Sequence, residues 1–172
     1  MNSAYLYLQL YRLFDASTPL GADCGGLCRK ACCKGDDAGM YLFPGEQSVF
    51  ELLTPDWVRI EESDFTYEYN GRHKNLKIAF CRGSCDRYQR PLACRIFPLT
   101  PYLGADGKLS VITDPRSKVV CPLGKTLAVD EYERTFVRNV KNCFVILSKN
   151  PEFRAFLVEY SRYLDEFARF YK

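Results

Sequence analysis

Four cysteines fall within ten residues, in CGGLCRKACC at 24–33, and five more follow at 81, 85, 94, 121 and 143. This density constrains the fold more than any other feature, because thiols so grouped serve as disulfides, metal ligands or redox groups. A chain of 172 residues, 47% of them hydrophobic, can build a full core without covalent staples. Its opening stretch, MNSAYLYLQLYRLFD, has neither a basic start nor an unbroken apolar run, so it does not read as a secretory signal. No segment reaches the roughly 20 apolar residues that a bilayer span needs. A reducing, cytoplasmic setting is the expectation, and there clustered cysteines hold metal or carry out redox chemistry. A net charge of +3 is too mild to argue for a nucleic-acid or membrane partner.

The pattern along the chain predicts one α+β domain, 1–172, with a cysteine-rich metal-binding region at about 20–125. Leu6, Leu10, Leu13 and Phe14 recur at helical spacing. Residues 15–45 are irregular and carry Pro19, Gly21, Gly25, Gly26, Gly35, Gly39 and Gly45. A short helix is expected at 44–53, ended by Pro55. Two short β-hairpins follow. In the first, Phe65, Tyr67 and Tyr69 alternate with Thr66 and Glu68 before an Asn70-Gly71 turn. The second turns near Asp106-Gly107, and its prolines point to an edge strand. A helical hairpin is expected at about 130–172. Asp130 and Glu133 have capping-box spacing, and Phe136, Val140, Cys143, Phe144 and Leu147 form one apolar stripe. Asn150 caps the last helix with Pro151 at its first position, and Phe153, Phe156, Leu157, Tyr160, Leu164 and Phe167 carry its buried face.

Cys143 belongs to a helix stripe, so it reads as a small core hydrophobe. The other eight, Cys24, Cys28, Cys32, Cys33, Cys81, Cys85, Cys94 and Cys121, lie in loop-like contexts and make two complete sets of four thiolates. C-x(2–4)-C spacing lets one turn supply two ligands to zinc, and Cys24–Cys28 and Cys81–Cys85 fit it. Gly25, Gly26 and Gly83 allow tight bends around an ion. Arg29, Lys30, Lys34, Arg82, Arg87, Arg90 and Arg95 interleave with the thiols and favour their ionised form. Acidic Asp36, Asp37 and Asp86 share these segments and weaken any nucleic-acid reading. The first and second cysteine groups are expected to meet, with Cys121 returned toward Cys94 by the second hairpin. No C-x-x-C or C-x2-C-x2-C run occurs, which excludes the familiar thioredoxin and ferredoxin patterns.

CGGLCRKACC, then GMYLFPGE, then CRGSCDRYQRPLACRIFP resemble the zinc- or iron-chelating cysteine-cluster domains of the CxxCxxCC type. The resemblance spans about residues 20–125. Arg90-Pro91 and Cys94-Arg95-Ile96-Phe97-Pro98 match the second motif with one extra residue before the aromatic. The first motif has three residues between cysteines where the family has two. The resemblance implies metal chelation through cysteines. A similar cluster occurs in flagellin lysine-N-methylases, which implies a link to protein methylation.

His73 is the sole histidine, so zinc sites built on two or three histidines are excluded, and its place by the hairpin turn suggests exposure. No nucleophile elbow, P-loop or dinucleotide fingerprint is present. Glu61, Glu62 and Asp64 read as a solvated charge run. Two functions remain: a zinc-holding module that presents a surface to a protein partner, and an iron–sulfur protein with an electron-transfer or enzyme-associated role. No catalytic motif identifies an enzyme.

Overall fold

The structure, a computed structural model, describes residues 3–34, 39–82 and 85–170. Gly35, Asp36, Asp37 and Gly83, which entered the turn and charge readings, lie outside these.

Helix α1 (Ser3–Arg12) buries Ala4, Tyr7, Leu10 and Tyr11, followed by Phe14. Leu6 is only half-buried and Leu13 is exposed, so of the four residues at helical spacing Leu10 and Phe14 enter the core and two tyrosines complete the buried face. Tyrosines carry it because each phenol finds an acceptor, which lets the ring enter the core. Tyr7 Oη donates to Pro44 O at 3.0 Å, and Tyr11 Oη donates to Glu46 Oε1 at 2.6 Å. A one-turn helix α2 (Gly25–Cys28) and strand β1 (Gly39–Leu42) come next, then helix α3 (Gln47–Leu53).

Strands β2 (Val58–Tyr69) and β3 (Arg72–Cys81) form the first hairpin. It turns at Asn70 and Gly71, both at positive φ, as a two-residue turn between right-twisted strands requires. The hairpin is longer than the alternating residues predict, because β2 begins at Val58 and is interrupted between Glu62 and Thr66. That irregularity breaks the period on which the reading depended. Strand β1 pairs with β3, Gly39 opposite Phe80, giving an antiparallel sheet in the order β1-β3-β2.

Helix α4 (Leu92–Ile96) follows, then the second hairpin, β4 (Leu99–Leu103) and β5 (Leu109–Thr113). It forms a separate two-stranded sheet, so Pro101 lies in a strand with a free edge, as proline requires. Short helices α5 (Ser117–Val120) and α6 (Pro122–Thr126) lead to α7 (Arg134–Leu147) and α8 (Pro151–Phe170).

The predicted stripe of α7 is wholly buried. Its N-cap is Glu133 itself, whose carboxylate accepts from the N–H groups of Thr135 and Phe136. Asp130 instead belongs to a preceding turn at Val129–Glu131. Asn150 caps α8 through the Glu152 N–H. The two helices follow one another across a short turn and meet at Phe144 and Phe153. From there α7 lies against β4 and β5 while α8 crosses β2 and β4. Phe43 fills the space between them, its ring 5.2 Å from Phe144 and 5.9 Å from Phe156. No helix among the described residues is long and apolar enough to cross a membrane.

The Glu46 carboxylate is completely buried. Its oxygens accept from Tyr11 Oη, the Phe43 N–H at 2.9 Å and the Leu92 N–H at 2.6 Å. It thus ties α1 and the turn before α3 to the start of α4. Burial pushes it up to about 6 despite those donors. The same α4 carries Cys94 and Arg95, so this buried anion fixes one wall of the cysteine pocket.

Candidate functional site

The 24–33 loop is folded by its backbone. The Leu27 N–H donates to Cys24 O at 3.0 Å, the Lys30 N–H to Gly25 O at 3.0 Å, and the Cys33 N–H to Lys30 O at 2.8 Å. The chain reverses at Arg29 and Lys30, whose φ values are +50° and +58°. Gly25 and Gly26 do not supply the bend predicted of them, since they lie in the helical turn of α2. A side chain at Gly25 would crowd Lys30 Cγ and the Asp23 carboxylate, whose Oδ1 accepts from the Gly25 N–H.

Cys94 enters from the middle of α4, whose Leu92 and Ile96 anchor it in the core. Cys121 stands at the position just before α6. Its position depends on Gly124, where any Cβ would collide with Ser117 Oγ and force α5 and α6 apart. Arg116 fixes the start of α5 by a 2.6 Å bond to Asp114 and lies over the rings of Tyr41, Tyr160 and Tyr163. Cys81 ends β3, and Cys85 precedes a turn at Arg87–Gln89. That turn is held by Asp86, which accepts from the Tyr88 N–H, and by Gln89, which accepts from Trp57 Nε1 at 2.9 Å.

These elements enclose two adjoining pockets. The larger, about 250 Å³, is lined by Cys24, Cys28, Cys32, Cys33, Cys94 and Cys121, with Lys30, Arg87 and Arg90. The smaller, about 70 Å³, has Cys32, Cys33, Cys81, Cys85 and Cys94 on its walls, together with Arg90 and Trp57. Every one of the eight cysteines assigned to loops lines at least one of them, and Cys32, Cys33 and Cys94 line both. Cys143 lies apart, fully buried in the α7 stripe. None of the cysteines is in a disulfide. Among the described residues no three Cys, His, Asp or Glu side chains stand in the arrangement of a metal-ion site. His73 is exposed, and Glu61 and Glu62 pair with Arg59 and Lys77.

The neighbouring thiols hold different protons. Cys32 Sγ and Cys33 Sγ lie 3.9 Å apart. Their hydrogen bond brings Cys33 down to about 6 against partial burial, with help from Arg90 and Lys30. The same bond, then desolvation, raises Cys32. Burial, then the charge at Cys33, raises Cys94. Burial also raises Cys24, with Cys121 and Cys28 adding to it. One thiolate therefore forms readily beside Arg90, while Cys32, Cys94 and Cys24 need a cation to release their protons.

The basic residues divide into separate roles. Arg90 Nε donates to Cys85 Sγ at 3.2 Å, and its charge also faces Cys33 and Cys94. Arg95 turns away from the thiols. It donates to Arg90 O and Tyr11 O, pairs with Asp15, and stacks over the Tyr11 ring at 4.4 Å. Arg29, Lys34 and Arg82 are exposed. The special place of Arg90 and the burial of Glu46 escaped the sequence reading. The Arg90-Pro91 dipeptide before a short apolar run was the available signal for the first; the isolated Glu46 offered none. No protein family, curated protein or solved structure matches the chain.

Proposed function

We propose that the chain is a metal-binding module that takes up zinc or iron through Cys24, Cys28, Cys32, Cys33, Cys81, Cys85, Cys94 and Cys121. One observation carries the reading: eight cysteines from four separate stretches line two adjoining pockets with Arg90 between them. Soft thiolates select zinc, copper(I) or iron–sulfur clusters over hard cations. A four-thiolate zinc site has a formal charge of about −2, which Arg90 and Lys30 offset. The order of the two cysteine motifs, similar to that of the zinc- or iron-chelating domains, supports the same reading. A bound ion would hold the 24–33 loop against α4 and α6 and so present a fixed surface to a protein partner. A cytoplasmic, reducing setting belongs with this reading, because it keeps the thiols available.

The iron–sulfur reading is favoured by one dimension. A pocket of about 250 Å³ walled by six cysteines is roomier than a single ion at about 2.3 Å from four sulfurs demands. A role in electron transfer, or in an enzyme acting on protein methylation, goes with it. Elemental analysis and visible absorption of anaerobically purified protein separate the two. Colourless protein with stoichiometric zinc supports the first reading, and broad thiolate-to-iron absorption supports the second. Protein free of both metals, with all nine thiols titrating, overturns the proposal.

A further inference from the structure

Among the described residues, two buried side-chain polar atoms have no hydrogen-bond partner: Ser17 Oγ and Arg95 Nη2. Both residues line one small cavity of about 60 Å³, together with Thr18, Arg87, Arg90 and Asp23. The Arg95 side chain is only 3% exposed and is fixed on its other sides. Its Nε donates to Arg90 O at 2.7 Å, and Nη1 donates to Tyr11 O at 3.0 Å and Asp15 Oδ1 at 3.2 Å. Only Nη2 is left over. A buried charged donor without an acceptor is costly, and in folded proteins such an atom marks a bound water or ligand.

Water answers the geometry less well than an anion does. The cavity offers several times the roughly 10–15 Å³ that one water requires. Three arginines line it against one carboxylate, Asp23, whose Oδ1 is already engaged by the Gly25 N–H. Asp15 answers the charge of Arg95 from outside the cavity, and water would supply an acceptor but no further countercharge. Guanidinium groups and a hydroxyl on one wall are the donor set that carboxylates and phosphates select.

We propose that this cavity is an oxyanion-binding subsite, taking a carboxylate- or phosphate-sized group on Arg95 Nη2, Ser17 Oγ and Arg87. Cys24, Cys94, Arg87 and Arg90 line both this cavity and the larger cysteine pocket. A small molecule anchored here by its anionic end would therefore extend toward the thiols. The assignment rests on the orphaned donors and does not require that the thiols hold a metal.

Calorimetric titration of the whole protein with inorganic phosphate, and separately with acetate, tests it at constant ionic strength set by chloride. Saturable binding of either anion is the expected result. Saturation by phosphate alone assigns a tetrahedral group, by acetate alone a planar carboxylate, and by both an oxyanion of either shape. Ser17→Ala removes a hydroxyl that bonds nothing among the described residues, so its fold should hold while affinity falls roughly tenfold or more. Arg87→Gln should weaken binding in the same direction. Arg95→Lys also breaks the Tyr11 and Asp15 contacts, so the Ser17 and Arg87 variants keep the test independent of folding. The proposal is overturned if neither anion saturates, if Ser17→Ala binds like the parent, or if a crystal grown in the anion that saturates shows only water in the cavity.

Discussion

Tyr11 and Glu46 share a 2.6 Å hydrogen bond in the core, phenol to carboxylate, and the same carboxylate oxygen accepts from the Leu92 N–H. The bond stabilises the anion, yet burial outweighs it and moves Glu46 from 4.5 up to about 6. The folded state thus binds this proton more tightly than the unfolded chain does. Its contribution is fully present below pH 4.5 and is lost as the pH rises through 6. A shift of that size corresponds to about 2 kcal/mol. Urea denaturation across this window should show the decline. Glu46→Gln should flatten it, at the cost of an unanswered Phe43 N–H.

Metal removal should loosen the 24–33 loop first. Its backbone bonds are local, and Leu27 is 66% exposed, so few apolar contacts hold it independently. Chelation under reducing conditions should lower the melting temperature by several degrees and admit protease between Cys24 and Lys34. An unchanged melting curve after verified metal loss would count against the metal reading.

Cys143 should behave as packing. It is fully buried between Val140 and Phe144 on α7. Cys143→Ala should cost on the order of 1 kcal/mol and leave the metal content unchanged. Metal loss in this variant would show that the thiol had been assigned to the wrong group.

In metal-free protein Cys33 should be the most reactive thiol near neutrality, alkylating with a midpoint near pH 6. Cys32→Ala removes the largest cause, the hydrogen bond, and should move that midpoint up. Arg90→Gln should move it in the same direction by less. Mass-spectrometric rates against pH read both. A midpoint unmoved by Cys32→Ala would show that the pair does not act as one unit.

The secondary structure that was legible in the sequence is the part with clear periodicity or cap chemistry. Asn70-Gly71, Asn150-Pro151 and the Phe136–Leu147 stripe each have a local cause, and each appears as read. Strand β1 was not legible, because four residues in a glycine-rich stretch become a strand only by pairing with β3. The α1 stripe was legible in part, since Leu10 and Phe14 are buried; Tyr7 and Tyr11 were not, because tyrosines count as core only when their hydroxyls find distant acceptors at Pro44 and Glu46. The grouping of eight cysteines apart from Cys143 could be read from context. The division between Arg90 facing the thiols and Arg95 facing Tyr11 could not, since it follows from which side of α4 meets α1.

Cys24 and Cys121 face one cavity although about a hundred residues of chain lie between them. Any group that bridged them would act as a clasp on that whole span. Closing a loop of this length removes enough freedom from the unfolded chain to favour folding by about 4–5 kcal/mol in the chain-entropy description of cross-links. Helices α7 and α8 come after the clasp, yet they cover β2, β4 and β5 inside it. The cysteine pocket can therefore set the stability of a helical core whose residues never touch it.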